Sequence, residues 1–354
     1  MLTFSFETIE ALFGGFFWPF VRVLALFSVA PVLGQRTIPG RVRIGLAGLI
    51  AFLVAPGLGP VPAGSLSSAG AIAMLLQNML VGIKPTVGRV SRYGVIPITA
   101  DQDTPGPMAK TVTDAAILFG VLEGAMPDPN DPATGNCPPA PNHDYTRYLR
   151  RDGLKGARIG IPRAFFYAPV SAPGEPVPQG GLNLDQMRVM EEAIAVLKKE
   201  GATVVDPADI PSILSPDPNE NFLTWGICGA GGEGRGQDEN CSVVLKYGMK
   251  RDFNAWLETL GATAPVHSLT ELREWNLRHE RAGAIRYGQS NLDISDEIDL
   301  VRDKSKYEAD RAKDIALAAT HGIDEVMRAE RLDALLFPGS AGSGVAARPG
   351  YPSI

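Results

Sequence analysis

Carboxylates and lysines are nearly absent from the first quarter of this sequence. Residues 1–83 contain no lysine and only two carboxylates, Glu7 and Glu10, and the next carboxylate is Asp101. A soluble domain covers its surface with charged side chains, whereas a membrane segment excludes them. This stretch is therefore not typical of a soluble domain, and we interpret it as a membrane segment.

Cysteine and histidine are also scarce, which argues against a metal centre. No CxxC pair occurs, and no histidine is spaced to complete a zinc site, so we predict no metal and no cofactor. We expect the cysteines to be reduced cytosolic thiols and the histidines to have surface or packing roles. These residues are Cys137, Cys228, Cys241, His143, His267, His279 and His321.

The charges that are present lie unevenly along the chain. Residues 1–83 carry a net charge of +2 from four arginines and two glutamates, and residues 84–354 carry −8. The acidic balance of the longer part argues against nucleic acid as a partner.

Three long uncharged or nearly uncharged runs lie in the first part, at residues 11–33, 44–63 and 66–83. The first run has a single charge, Arg22, and thirteen Leu, Phe or Val residues. These residues favour insertion by about 6 kcal/mol, against roughly 3 kcal/mol for a central arginine. The sequence therefore predicts two to three transmembrane helices, with membrane lipid as a partner of residues 11–83.

Three arginines lie together between the first two runs: Arg36, Arg41 and Arg43. The positive-inside rule places this loop in the cytoplasm and the N-terminus outside. A cleaved signal peptide is the competing interpretation, but no basic region precedes the apolar run.

Several segments of this first part resemble the start of the flagellar biosynthesis protein FliR. They are Met1-Leu2-Thr3-Phe4, residues 17–26, Ala30-Pro31-Val32-Leu33-Gly34 and residues 42–47. The resemblance implies a piece of the membrane gate of flagellar protein export, located in the bacterial inner membrane and assembled with other gate subunits. It covers residues 1 to about 82, and the remaining membrane helices of that family are absent.

After Gly82 the pattern becomes that of a soluble α/β protein. Asn183 is placed to cap a helix with an apolar stripe, and Gly201 is placed to end it before a strand at residues 202–205. The stripe consists of Leu184, Met187, Met190, Ile194 and Leu197. Residues 158–161 and 332–337 are interpreted as short buried strands, and residues 298–331 as mostly helix. Strands that alternate with helices favour a sheet covered on both faces.

This second part resembles the amidase signature family. The segments that carry the resemblance are residues 82–94, beginning Gly82-Ile83-Lys84-Pro85-Thr86, residues 103–108, 111–116, 336–339 and 346–352. The family hydrolyses carboxamide C–N bonds, and one branch supplies ammonia for amidating tRNA-bound glutamate. The resemblance implies a mixed sheet flanked by helices, here incomplete.

The catalytic residues of that family do not appear in this sequence. The resemblance implies a lysine and two serines upstream of the Gly-x-Lys-Pro-Thr motif, but the first lysine of the chain is Lys84 within the motif. The position expected for the nucleophile, roughly 14 residues earlier, is Gly70, which has no hydroxyl. Ser67 and Ser68 lie nearby without a lysine to activate them. We therefore predict no catalytic residues and no hydrolysis.

Other motifs are weaker candidates. The string Gly229 to Gly234 satisfies GxGxxG, but it lacks a clear strand–turn–helix context, and Glu233 would repel a pyrophosphate; we interpret it as a loop. The string Gly339 to Gly344 lacks the GxSxG pattern, and the resemblance implies that it lines the substrate cleft. We expect Lys84 to help position a strand. The alternative is that it acts as a base. Asp103 and Asp114 are expected to be local hydrogen-bond acceptors at a turn and a helix start.

The sequence thus predicts two domains, a membrane segment at residues 1–82 and a partial amidase domain at 83–354. Open sheet edges should make the second part weakly soluble or able to bind hydrophobic dyes. Three accounts fit: an inactive amidase fragment on a membrane leader, a membrane component of flagellar export, or two genes joined at Val81-Gly82-Ile83. The side of the membrane that residues 84–354 occupy is left open.

Overall fold

A computed structural model describes residues 81–229 and 239–354. Both stretches belong to the second of two units of the chain, Leu80–Ile354. Within these described stretches, no helix is both long and apolar enough to cross a membrane. The three runs interpreted as membrane helices lie before residue 84 and so fall almost entirely outside the described residues.

A parallel three-stranded sheet forms the centre of the described part. Its strands are β3 (Arg158–Gly160), β4 (Thr203–Val205) and β7 (Ala334–Leu335), in the order β4-β3-β7. Ile159 pairs with Val204 on one side and with Ala334 on the other. The strands predicted near 158, 202 and 332 are confirmed, and each is shorter than its apolar run.

The helix predicted after Asn183 is confirmed as α2 (Leu184–Lys199). Asn183 and Gln186 form a reciprocal capping box, and Gly201 follows the helix with a φ of +94°. Ile194 is buried, and Met187, Met190 and Leu197 pack beside it on the core. Leu184 does not belong to this stripe, because its side chain is 91% exposed at the first position of the helix.

Further helices and two pairs of very short strands make up the rest of the described part. Strand β1 (Val81–Gly82) pairs antiparallel with β2 (Met108–Ala109). Strand β5 (Gly226–Ile227) pairs in parallel with β6 (Cys241–Ser242). The other helices are α1 (Val112–Glu123), α3 (Pro211–Leu214), α4 (Val244–Thr259), α5 (Leu269–Arg278), α6 (Ser290–Asp296), α7 (Lys304–Ile315), α8 (Asp324–Ala329) and α9 (Ser343–Ala347). A π-helical segment, Ala316–Ile323, joins α7 to α8, so the prediction of helix over much of 298–331 is confirmed.

Two apolar clusters hold these elements together. The larger one surrounds the sheet and includes Ile159, Ile161, Ile194, Ala318 and Val326 from strands and helices far apart in sequence. The smaller one joins α4, α5 and the segment between them. Both clusters are thus built from residues 157–345, and α1 lies outside them.

The expectation of three free thiols is wrong for two of the cysteines. Cys228 and Cys241 form a disulfide across β5 and β6, and Cys137 is free. Spacing along the chain gave no sign of this pair, because the parallel pairing of two very short strands brings the cysteines together.

Candidate functional site around the Gly82–Gly94 segment

Lys84 joins the start of the described residues to their end. Its backbone pairs with that of Ser353, with N···O distances of 2.8 and 2.9 Å in the two directions. The Nζ amine donates to the carbonyl oxygen of Tyr351 at 2.7 Å. Burial lowers the pKa of this amine. These contacts are those of a residue that positions a strand.

The segments that resemble the amidase family meet around this lysine. Ile83 N donates to the carbonyl of Pro107 at 3.0 Å, and Val87 N donates to that of Gly350 at 3.1 Å. A Cβ at Gly106 would lie 1.9 Å from the carbonyl oxygen of Ile83, so only glycine allows this close approach. Three motifs separated by up to about 270 residues in the chain therefore build one corner of the domain.

Arg89 organises a second group of polar side chains against α1. Its Nη1 donates to Glu123 Oε1 at 3.1 Å, and the Tyr145 hydroxyl donates to the same oxygen at 2.6 Å. Burial, with this hydrogen bond, raises the pKa of Tyr145 to about 12. His143 Nδ1 lies 3.6 Å from the other oxygen of Glu123, which is buried. The group anchors the turn at 141–148 to the end of α1.

Arg92 lines a cleft of about 190 Å³. Its Nε donates to Asp131 Oδ2 at 2.8 Å, which lowers the pKa of that carboxyl. Asp103 accepts from the backbone N–H groups of Ile98 and Thr99, so the prediction that it is a local acceptor is confirmed; burial raises its pKa. The cleft is also lined by Tyr93, Asp252 and Trp256.

Asp314 on α7 is the centre of a buried network that the sequence did not reveal. It accepts from Trp225 Nε1 at 2.9 Å, from Ser242 Oγ at 2.7 Å and from Arg348 Nη1 at 3.1 Å. Burial raises the pKa of Asp314, and the positive charge of Arg348 opposes that shift. The network ties α7 and the disulfide-linked strands to the motif at 346–352.

The other sequence candidates lie apart from one another. Asp114 lies in the first turn of α1, where its N–H donates to Thr111 Oγ1. The Gly339–Gly344 string forms turns that lead into α9. His321 lies 3.5 Å from Glu325, and the His279 ring stacks on Trp275. In residues 81–229 and 239–354, no group of His, Cys, Asp and Glu is placed to hold a metal.

Four of the sequence candidates lie wholly or mostly outside the described residues. Gly70, Ser67 and Ser68 precede the described residues, and most of the Gly229–Gly234 string, with Glu233, falls in the undescribed residues 230–238.

Comparison with known proteins defines the class of this fold and its motifs. The sequence model of the amidase family matches residues 77–343, three quarters of the chain. The native peptide amidase of Stenotrophomonas maltophilia superposes with a TM-score of 0.59 at 30% identity, over 79% of this chain and 52% of that enzyme. The chain belongs to the amidase family, and the fold expected for its second part is that of the family.

Two curated relatives illustrate how much of the family is present. A probable amidase of Arabidopsis thaliana is 30% identical over 306 residues, 86% of this chain and 50% of that protein. A glutamyl-tRNA(Gln) amidotransferase subunit of Trichlorobacter lovleyi is 44% identical over 126 residues, 36% of this chain and 22% of that protein. The chain thus spans half or less of the length of these relatives.

A second family also matches the chain. The model described as bacterial export proteins, family 1, to which FliR belongs, matches residues 13–88. The two matches overlap at residues 77–88, which include Val81-Gly82-Ile83.

Proposed function

We propose that residues 82–354 are an amidase-family segment that does not hydrolyse amides, carried behind an export-family segment. The glycine at position 70, where the resemblance places the nucleophilic serine, carries this proposal, and residues 1–83 contain no lysine. Hydrolysis by the family chemistry needs a neutral lysine to accept a proton through a serine, and an unactivated serine is a poor nucleophile.

The surroundings of Lys84 support the proposal. The hydrogen bond of its amine goes to a backbone carbonyl, which cannot give up a proton. A base must lie within hydrogen-bond reach of the group that it deprotonates. The lowered pKa of Lys84 thus reflects burial, without a hydroxyl partner among the contacts of this amine.

A hydrolysis assay tests this directly. The full chain, purified in mild detergent, is incubated with simple carboxamides and peptide amides, with the Stenotrophomonas maltophilia peptide amidase as the positive control. We expect no turnover above a no-protein blank and no labelling of a serine by a fluorophosphonate. A rate that is proportional to protein concentration and lost in Ser67→Ala or Ser68→Ala would overturn the proposal. Lys84→Ala should leave the blank-level rate unchanged.

The alternative function is that of a membrane component of flagellar protein export. The match to bacterial export proteins favours it, together with the charge-poor runs of residues 11–83. In this account residues 11–83 lie in lipid of the inner membrane and contact export-gate subunits. Membrane fractionation after an alkaline wash tests it, since recovery only in the soluble fraction would contradict it.

The origin that we propose is an in-frame join of two genes near Val81-Gly82-Ile83. The overlap of the two family matches over residues 77–88 supports it. One amplified product across codons 60–110 of source DNA, sequenced directly, decides whether the join exists. If no such product is obtained, the two matches belong to separate proteins.

A further inference from the structure

The disulfide between Cys228 and Cys241 lies next to the buried network of Asp314. It joins cysteines that are 13 positions apart in the chain. Cys228 directly follows β5, and Cys241 begins β6. The ladder between these two strands is only two residues long. Because so short a ladder opens by local unfolding and a covalent bond does not, the disulfide is what holds the two segments together when the ladder opens.

Each of these two segments donates a hydrogen bond to the carboxylate of Asp314. Trp225, three residues before the first cysteine, donates to one oxygen at 2.9 Å. Ser242, directly after the second cysteine, donates to the other oxygen at 2.7 Å. The carbonyl oxygen of Trp225 also accepts from Arg348 Nη2 at 2.7 Å. A buried carboxylate is costly unless donors surround it, so the positions of the two segments decide how well Asp314 is stabilised.

This network has little reserve when a donor moves away. Trp225, Ser242, Asp314 and Arg348 are each at most 6% exposed, so solvent water is not at hand to replace a lost donor. Arg348 Nε is already buried without a hydrogen-bond partner among the described residues. A segment that leaves Asp314 therefore weakens the compensation of both buried charges. Because Arg348 belongs to the motif at 346–352, the effect reaches that motif as well.

We propose that the Cys228–Cys241 disulfide is a redox-sensitive clamp on this network. The thiolate of a dithiol reductant attacks one sulfur of the bridge, forms a mixed disulfide with that cysteine and releases the other cysteine. The second thiol of the reductant then displaces the first cysteine, and the reductant leaves as a disulfide. Two electrons and the two thiol protons of the reductant thus pass to the cysteines. Reduction frees the segments of Trp225 and Ser242, so their bonds to Asp314 open.

Hydrogen exchange of the full chain in mild detergent, measured peptide by peptide, tests the proposal. One sample is oxidised with glutathione disulfide and the other is reduced with dithiothreitol. Thiol titration after unfolding should find one free thiol in the oxidised chain, that of Cys137, and three in the reduced chain. Amides of α7 and of residues 346–352 should exchange about tenfold faster after reduction, the effect of losing roughly one hydrogen bond, and those of α2 should not change. Reoxidation should restore the slower rates.

Three variants separate the clamp from other effects of the reductant. The double change Cys228→Ser with Cys241→Ser should exchange as the reduced chain does and should not respond to dithiothreitol. Cys137→Ser should respond as the unchanged chain does, since this thiol is free. In Ser242→Ala, which removes one bond to the buried carboxylate, reduction should accelerate exchange at 346–352 less than in the unchanged chain.

The other outcomes overturn the proposal. Three free thiols after treatment with glutathione disulfide would show that the bridge does not form. Faster exchange confined to the residues beside the cysteines would show that the disulfide acts on its own strands alone. A uniform rise that includes α2 would show a general loss of stability without a link to Asp314. These results come from the unchanged chain, so they hold whether or not the cysteine variants fold.

Discussion

The helices α1 and α2 differ in how they meet solvent. Six of the sixteen residues of α2 are charged, and its apolar residues Met187, Met190, Ile194 and Leu197 form an inward stripe. In α1 the only charged residues are Asp114 and Glu123, and Glu123 is buried. The sequence of α2 is that of an outer layer, whereas the sequence of α1 is that of an interior helix. This difference indicates that other parts of the described chain enclose the region around the sheet, and that they enclose the region at 81–148 only in part.

The largest expected effect would come from breaking the buried network of the enclosed region. Asp314→Ala leaves Arg348 buried without its carboxylate and should lower the free energy of unfolding by about 4 kcal/mol. Glu308→Ala removes an exposed pair with Lys304 on the same helix and should lower the free energy of unfolding far less, because solvent screens an exposed pair. Denaturant unfolding of both variants measures the two losses of stability. Similar losses would contradict the conclusion that the buried network stabilises the fold more than an exposed ion pair does.

A pair of apolar truncations compares the two helices directly. Ile194→Ala empties a buried site on α2 and should cost about 3 kcal/mol. Val121→Ala, on the exposed side of α1, should change the free energy of unfolding by less than about 0.5 kcal/mol. If Val121→Ala were as costly as Ile194→Ala, Val121 would have to be packed against other residues.

Acid should weaken the region at 81–148 through Asp131. Arg92 lowers the pKa of this carboxyl, so its contribution is present above the ordinary value of about 4 and is lost as pH falls through the lowered pKa. Asp131→Asn should cost about 2 kcal/mol at pH 7 and less at pH 3, which is below the ordinary pKa of the carboxyl. Denaturant unfolding at both pH values measures the cost of the substitution. An equal cost at both would show that the charge of Asp131 does not stabilise the fold.

The smallest expected effects concern the caps of the two helices. Asn183 caps α2 and Thr111 caps α1, each by accepting a backbone N–H through its side chain. Replacing either by alanine should cost about 1 kcal/mol. Denaturant unfolding of the two variants measures these losses, and an unchanged free energy of unfolding in either variant would show that its cap does not stabilise the helix.

Local features of this fold could be predicted from the sequence, and distant ones could not. The cap at Asn183, the glycine at 201 and the strand at Thr203–Val205 depend on neighbours within a few residues. The bonds of Asp314 to Trp225 and to Ser242 join residues 89 and 72 positions apart, and periodicity does not show such partners. The exposed apolar side of α1 could not be predicted either, because composition shows that a helix is apolar without showing which side is covered.

The order of the strands has a consequence for synthesis. β3 pairs with β4 after about 45 residues, but its other partner, β7, follows about 175 residues after β3. At translation rates of about 5–20 residues per second, one edge of β3 stays unpaired for roughly ten seconds or more. During that time the nascent chain exposes a strand edge as well as an apolar helix, and a chaperone would meet both before the sheet is complete.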